Sequence, residues 1–309
     1  MQLTQRQLKQ FIYAGLVGDA LGVPVEFKPR DSYRIDAMLG FGTYDQPAGS
    51  WSDDSSLTLC LMENLTENGS MVTLFDKMLA YMTTGKYTPN HELFDIGNAT
   101  RRAILNYSKG VSPLECGDRS EFANGNGAIM RIAPLAIILL TEKDFKKRST
   151  MIREYTILTH AHERSVIGSV IYVELLRELL LGTELTVVLG TLQQRLQLVG
   201  FTEVELAKYQ CIFDRGFGKL PRAAIKSSGY VIDSLAAAIW CNLVAHDFQE
   251  VTLLAVNLGE DTDTVAQLAA MINVSQKLET VIPDQWQQAL IIPPEIHTII
   301  TDFTEKFGD

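Results

Sequence analysis

The sequence predicts an all-α fold, a single compact multi-helix domain over residues 1–309, and three observations carry that expectation. Apolar residues recur at helical spacing almost throughout. Strand-like alternation is scarce. No internal repeat, low-complexity tract or linker-like change of composition divides the chain.

Taken in chain order, Leu8, Phe11, Ile12, Gly15 and Leu16 form the first apolar stripe, and Asp19 falls on the same face. A carboxylate pointing inward needs partners, either backbone groups or a neighbouring site that it orients. Lys28 to Gly49 is rich in turn formers and reads as a long loop, with Glu26 just ahead of it. Leu57, Cys60, Leu61 and Leu65 define the second helix, and Gly117 to Gly127 is a second long loop. Val166, Val170, Val173, Leu176 and Leu180 mark a further helix. In Thr183 to Gln210, Leu185 to Leu189 has the local composition of a strand but is assigned to a helix edge or loop. Val265, Leu268, Ala269 and Ile272 give the last clear stripe.

Composition narrows the function. With 46% hydrophobic and 21% charged residues, the chain can bury a sizeable core. Its net charge of −10 and the lack of any basic block argue against binding to duplex DNA. Met1 to Gln10 is polar, unlike a signal peptide, and the apolar runs Ile132–Leu140 and Leu235–Cys241 are far shorter than the roughly 20 residues of a membrane span. Cys60, Cys116, Cys211 and Cys241 are widely separated and match no metal or redox spacing. A cytoplasmic protein with reduced thiols and no membrane partner is expected.

Two acidic clusters are the informative feature. Ser52-Asp53-Asp54-Ser55-Ser56 stands directly before the second helix, and Glu260-Asp261-Thr262-Asp263-Thr264 stands before the last. Either cluster alone is explained by helix capping. Capping uses one side chain, however, and Asp53 with Asp54, then Asp261 with Asp263, supply more carboxylates than it requires. Surplus oxygen ligands suit Mg²⁺, Mn²⁺ or Ca²⁺ rather than zinc. Four carboxylates with the hydroxyls of Ser52 and Thr264 match a pair of ions roughly 3.5–4 Å apart.

Other segments point to a ligand less directly. Asn124-Gly125-Asn126-Gly127 offers unhindered amides, and with Arg131 suggests an anion cradle, although alone it reads as a turn. His160 and His162 do not share a helix face, so a joint metal site is not expected. Asp95 reads as a helix cap or as one more site carboxylate, and taken alone as the cap.

Read in order, these segments resemble the ADP-ribosylglycohydrolase family, the group that includes the dinitrogenase-reductase activating glycohydrolase and the ADP-ribosylarginine hydrolases. The resemblance runs from Gly15-Leu16-Val17-Gly18-Asp19-Ala20-Leu21-Gly22 through Trp51-Ser52-Asp53-Asp54, Gly125-Asn126-Gly127 and Thr159-His160 to Asp261-Thr262-Asp263-Thr264. It implies an all-helical fold with a binuclear Mg²⁺ or Mn²⁺ cleft that binds ADP-ribose. Ser52, Asp53 and Asp54 would then ligate one ion and Asp261, Asp263 and Thr264 the other. Glu26 matches a glutamate near the metals, and Glu26, Asp53 and Asp54 are the candidate catalytic groups. Gly125, Asn126, Gly127 and His160 match the surroundings of the phosphates and ribose. Tyr230 matches the distal cleft, and Asp95 an active-site aspartate of the nitrogenase-regulating branch. Ser52 stands where threonine is usual, and Glu260 replaces a glycine.

The expected activity is metal-dependent hydrolysis that frees ADP-ribose from an ADP-ribosylated protein substrate, N-linked to arginine. The alternative is a protein that binds ADP-ribose or neutralises a toxin with weak or no hydrolysis.

Overall fold

The computed structural model describes residues 2–309, and the secondary structure of these residues is helical, with two isolated bridges, Asp118 with His160 and Gly125 with Tyr230. The helices are, in order, α1 (Gln5–Gly22), α2 (Asp53–Thr66), α3 (Met71–Thr84), α4 (Asn98–Ser108), α5 (Pro134–Ile138), α6 (Phe145–Ile157), α7 (Glu163–Leu180) and α8 (Leu185–Leu196). They continue with α9 (Glu203–Ala207), α10 (Gln210–Phe213), α11 (Val231–Val244), α12 (Phe248–Val256), α13 (Thr262–Gln276), α14 (Asp284–Ala289) and α15 (Pro294–Phe307). One hydrophobic core runs through the whole, from Leu3 to Phe303. None of the described helices is long and apolar enough to cross a membrane.

The central element is α13, buried from Thr262 to Ser275 and surrounded by α1, α12, α11 and α7. Its closest neighbour is α1, and the reason lies in two glycines. A Cβ on Gly18 would lie 2.6 Å from the Ala266 carbonyl oxygen, and one on Gly22 would lie 2.3 Å from the Asp263 Cα. Only bare backbone allows the two helices to approach so closely. The last turn of α1 is thereby held against the first turn of α13, where the Thr262 hydroxyl donates to the Gly22 carbonyl at 2.8 Å.

Leu185 to Leu189 opens helix α8, so of the expected helix edge or loop it is the edge of a helix and not a loop. Leu185, Val188, Leu189, Leu192 and Leu196 are its buried residues, at helical spacing, so the core selects the helix over local strand propensity. A buried ion pair, Arg148 Nε to Glu174 Oε1 at 2.5 Å, is extended by Arg195 at 2.8 Å and ties α6, α7 and α8 together. The Lys28–Gly49 loop is anchored by Arg30, which donates to the carbonyls of Leu258 (2.6 Å), Arg222 (2.6 Å) and Ile225 (2.5 Å). Glu26 and the residues preceding α13 are thus fastened to one another.

Candidate active site

Helix starts set the geometry. Ser52 is the N-cap of α2, its Oγ accepting from the Asp54 amide at 3.3 Å. The rest of the capping comes from α1, where Asp19 accepts from the Ser52 amide (2.9 Å) and the Ser55 amide (3.0 Å) while fully buried. Asp19 is therefore the buried acceptor for backbone, and the backbone it holds is the turn that carries the first acidic cluster. Asp53 is left free to accept from the Gly97 amide at 3.1 Å. At the other helix start, Asp261 occupies the N-cap position without making a cap bond, and its Oδ2 accepts from Asn126 Nδ2 at 2.9 Å.

Glu26, Asp53, Asp54, Asp95, Asp261 and Asp263 all line one cleft of about 310 Å³. One carboxylate oxygen from each of Glu26, Asp95 and Asp263 lies within 4.8 Å of the other two. Asp95 is not the expected cap of α4, because Gly97 holds that position. Burial and the neighbouring Asp95 and Glu26 push the hydroxyl pKa of Tyr44, from the long loop, upward. No ion pair among the described residues includes any of the six acids.

Concentrated negative charge away from water raises every one of these carboxyl pKa values. Burial, followed by Asp95 and Asp261, pushes Glu26 up to about 9. Burial with Asp95 raises Asp53, burial with Asp19 and Asp53 raises Asp54, and burial with Glu26 and Asp54 raises Asp263. Burial is also the first cause for Asp95 and Asp261. Three oxygens, Glu26 Oε2, Asp54 Oδ2 and Asp261 Oδ1, are buried without any hydrogen-bond partner. Oxygens placed in this way are donors for a hard cation.

A further wall of the cleft suits an anion. Gly97, Asn98, Ala99 and Thr100 bring the N-terminus of α4 to the cleft, and that helix start has no side-chain cap. Thr100 Oγ1 is buried there without a partner. Gly125, Asn126 and Gly127 complete this wall with His160, and a Cβ on Gly127 would lie 2.8 Å from His160 Cε1. The cleft also contains Arg102, Phe27 and Phe122, the last almost wholly exposed.

Eleven of the thirteen site residues expected from the sequence line this cleft: Glu26, Asp53, Asp54, Asp95, Gly125, Asn126, Gly127, His160, Asp261, Asp263 and Thr264. Ser52 is buried beneath it at the start of α2. Tyr230 lies beside it as the N-cap of α11, with the Arg164 guanidinium 5.9 Å from its ring centre. Arg131 does not reach the anion wall. It is fully buried and donates to the Tyr155 carbonyl (2.9 Å) and to Thr159 Oγ1 (3.0 Å). Thr100 and Arg102 take that place, and both were missed. Gly97 followed by a helix start was the available signal.

The described residues thus form an all-helical body in which two acidic helix starts line one cleft. The family model described as ADP-ribosylglycohydrolase matches residues 2–308, and the chain belongs to that family. It is 32% identical over 282 residues to the ADP-ribosylarginine hydrolase Tri1 of Serratia proteamaculans (strain 568), spanning 89% of this chain and 72% of that protein. It is 27% identical to the protein of the same name from Pseudomonas putida (strain GB-1), over 94% of this chain and 76% of the relative. A solved structure described as an ADP-ribosylglycohydrolase-related protein complex superposes with a TM-score of 0.80 at 29% identity, covering 97% of this chain and 98% of the other.

Proposed function

We propose that this protein is a divalent-metal-dependent hydrolase that releases ADP-ribose from modified proteins, with the sugar N-linked to arginine. The observation that carries this reading is the set of three unpartnered buried oxygens on Glu26, Asp54 and Asp261 within one six-carboxylate cleft. Such a donor set fits two Mg²⁺ or Mn²⁺ ions. Ser52, Asp53 and Asp54 from α2 would hold one, and Asp261, Asp263 and Thr264 from α13 the other. When bound, the ions supply positive charge to the ribose hydroxyls and acidify a water molecule.

The chain's own residues do the remainder. The α4 N-terminus, Thr100 and the Gly125–Gly127 backbone bind the pyrophosphate, which places the ribose toward the carboxylates. The acids stabilise the oxocarbenium-like charge that develops as the glycosidic bond breaks. Glu26, buried at the cleft, moves the proton of the attacking water. The two relatives named as ADP-ribosylarginine hydrolases support the linkage. Residues 1–309 act as one domain, and the four free thiols accord with the cytoplasm. Loss of hydrolysis through Glu260 or Ser52 is not favoured, since Glu260 is exposed and Ser52 keeps its hydroxyl, so no carboxylate leaves the cleft.

The test is incubation with arginine-, serine- and nucleic-acid-linked ADP-ribose, with Mg²⁺ or with chelator, and detection of free ADP-ribose. Metal-dependent release from arginine is expected. Release that survives chelation, or none from any protein linkage, refutes the proposal.

A further inference from the structure

His160 is 2% exposed, and its ring edge borders the cleft between Gly125 and Gly127. The other edge turns inward, where Nδ1 lies 2.8 Å from Thr159 Oγ1. The same Oγ1 receives the Arg131 Nη2 donor at 3.0 Å. These contacts decide where the protons lie. A guanidinium can only donate, so Thr159 accepts from Arg131 with one lone pair. Thr159 is itself fully buried, and His160 Nδ1 is the one acceptor within reach of its hydroxyl among the described residues. If Nδ1 carried the ring proton, the Thr159 hydroxyl hydrogen would be buried without an acceptor. The hydroxyl therefore donates to Nδ1, and the ring proton is on Nε2, at the cleft edge.

We infer that Arg131 and Thr159 form a relay that locks His160 in the Nε2–H tautomer, making it a fixed, uncharged donor toward bound ADP-ribose. This deepens the function proposed above and rests on that reading for the identity of the ligand. The charged groups facing His160 are Arg131, Asp118 and Arg102, and burial followed by Arg131 pushes its pKa down to about 3. The ring accordingly stays neutral through the range in which histidines ordinarily switch. Its consequence is orientation. A donor at this point donates to phosphate or sugar oxygens and refuses the guanidinium of a modified arginine, which has only N–H groups to offer. Substrate is thus held with its phosphate side toward His160 and its arginine away from it. Thr159 and Arg131 are positioning residues, since neither meets the ligand.

The experiment is ¹⁵N NMR of the five histidines in the full chain, with His160→Gln to assign the resonance. The expected result is an unprotonated Nδ1 and a protonated Nε2 that do not move between about pH 5 and 8. An Nδ1–H tautomer, or a titration inside that window, overturns the inference. Thr159→Val is expected to mix the two tautomers and weaken ADP-ribose binding roughly tenfold, and Thr159→Ser to restore both. An unchanged tautomer in Thr159→Val would also overturn it. If the valine variant fails to fold, the wild-type spectrum still decides. The ring signature is read without ligand, so absent turnover on ADP-ribosyl-arginine counts against the proposed function, while the wrong tautomer counts against the relay.

Discussion

Substituting alanine along the glycine face of α1 tests how the cleft is built. In Gly22→Ala the new methyl would lie 2.3 Å from both the Cα and the N of Asp263. Those are backbone atoms and cannot swing aside, so the helices must separate. Overpacking costs about 1–3 kcal/mol, and a clash with rigid backbone belongs at about 3. For a chain of this size that lowers the melting point by roughly 6 °C. Gly15→Ala is the control on the same face, because its methyl meets the Met271 Sδ at 3.1 Å, the flexible end of a side chain. There a helix-propensity gain of up to about 1 kcal/mol offsets the contact, and the melting point should hardly move. Gly18→Ala meets the Ala266 carbonyl oxygen at 2.6 Å and should destabilise comparably to Gly22→Ala, but a turn away from Asp263. Thermal melts with and without Mg²⁺ separate the cases. A tight site gains about 2.7 kcal/mol at a hundredfold excess over Kd. Gly15→Ala and Gly18→Ala should keep that gain, whereas Gly22→Ala should lose most of it because Asp263 moves. A Gly22→Ala protein that melts with wild type and keeps its full Mg²⁺ response would refute the reasoning.

Asp54→Asn should abolish release of ADP-ribose yet raise the melting point of the metal-free protein, because it relieves repulsion with Asp19 and Asp53; activity assays and melts in chelator check the two halves. Metal-free protein should lose stability as pH rises. The folded pKa of Glu26, about 9, lies above its ordinary value, so its contribution is complete below that ordinary value and is lost as pH climbs through 9. Melts from acid to about pH 9 should fall in chelator and fall less with Mg²⁺, and a rising curve in chelator would contradict the charge argument. Glu260 has φ +65°, the left-handed region. Glu260→Gly should stabilise by about 0.5–1 kcal/mol, the strain relieved less the added chain entropy, as read by denaturant midpoint.

Why the acidic clusters were legible while several partners were not follows from how capping is shared out. Helical spacing exposed α1, α2, α7 and α13 because each buries a continuous stripe. Leu185 to Leu189 was legible only as a helix edge or loop because five residues are too few to separate a strand from the first turns of a helix. Asp95 reads locally as a cap because it stands near a helix start, and only the tertiary structure shows Gly97 in that position with Asp95 turned toward Glu26 and Asp263. Arg131 is a lone cation beside a glycine loop in sequence, but its turn, Ile129–Arg131, is buried and directs it away from the cleft.

The surplus of carboxylates, which pointed to metal chemistry at the outset, has its physical origin in Asp19. A helix start must satisfy its free amides, and local side chains normally do so. In α2 the Ser52 and Ser55 amides are satisfied by a carboxylate from α1, more than thirty residues earlier in the chain. That long-range cap releases Asp53 and Asp54 from the task and keeps the turn rigid while like charges crowd around it. The glycines of α1 add the second condition by bringing Asp263 up to the same helix. One helix thus supplies both the anchor for the first acidic turn and the close approach of the second. Asp19→Ala should therefore weaken Mg²⁺ stabilisation in thermal melts although Asp19 does not line the cleft, and an unchanged Mg²⁺ response would show that the α2 turn keeps its shape without it.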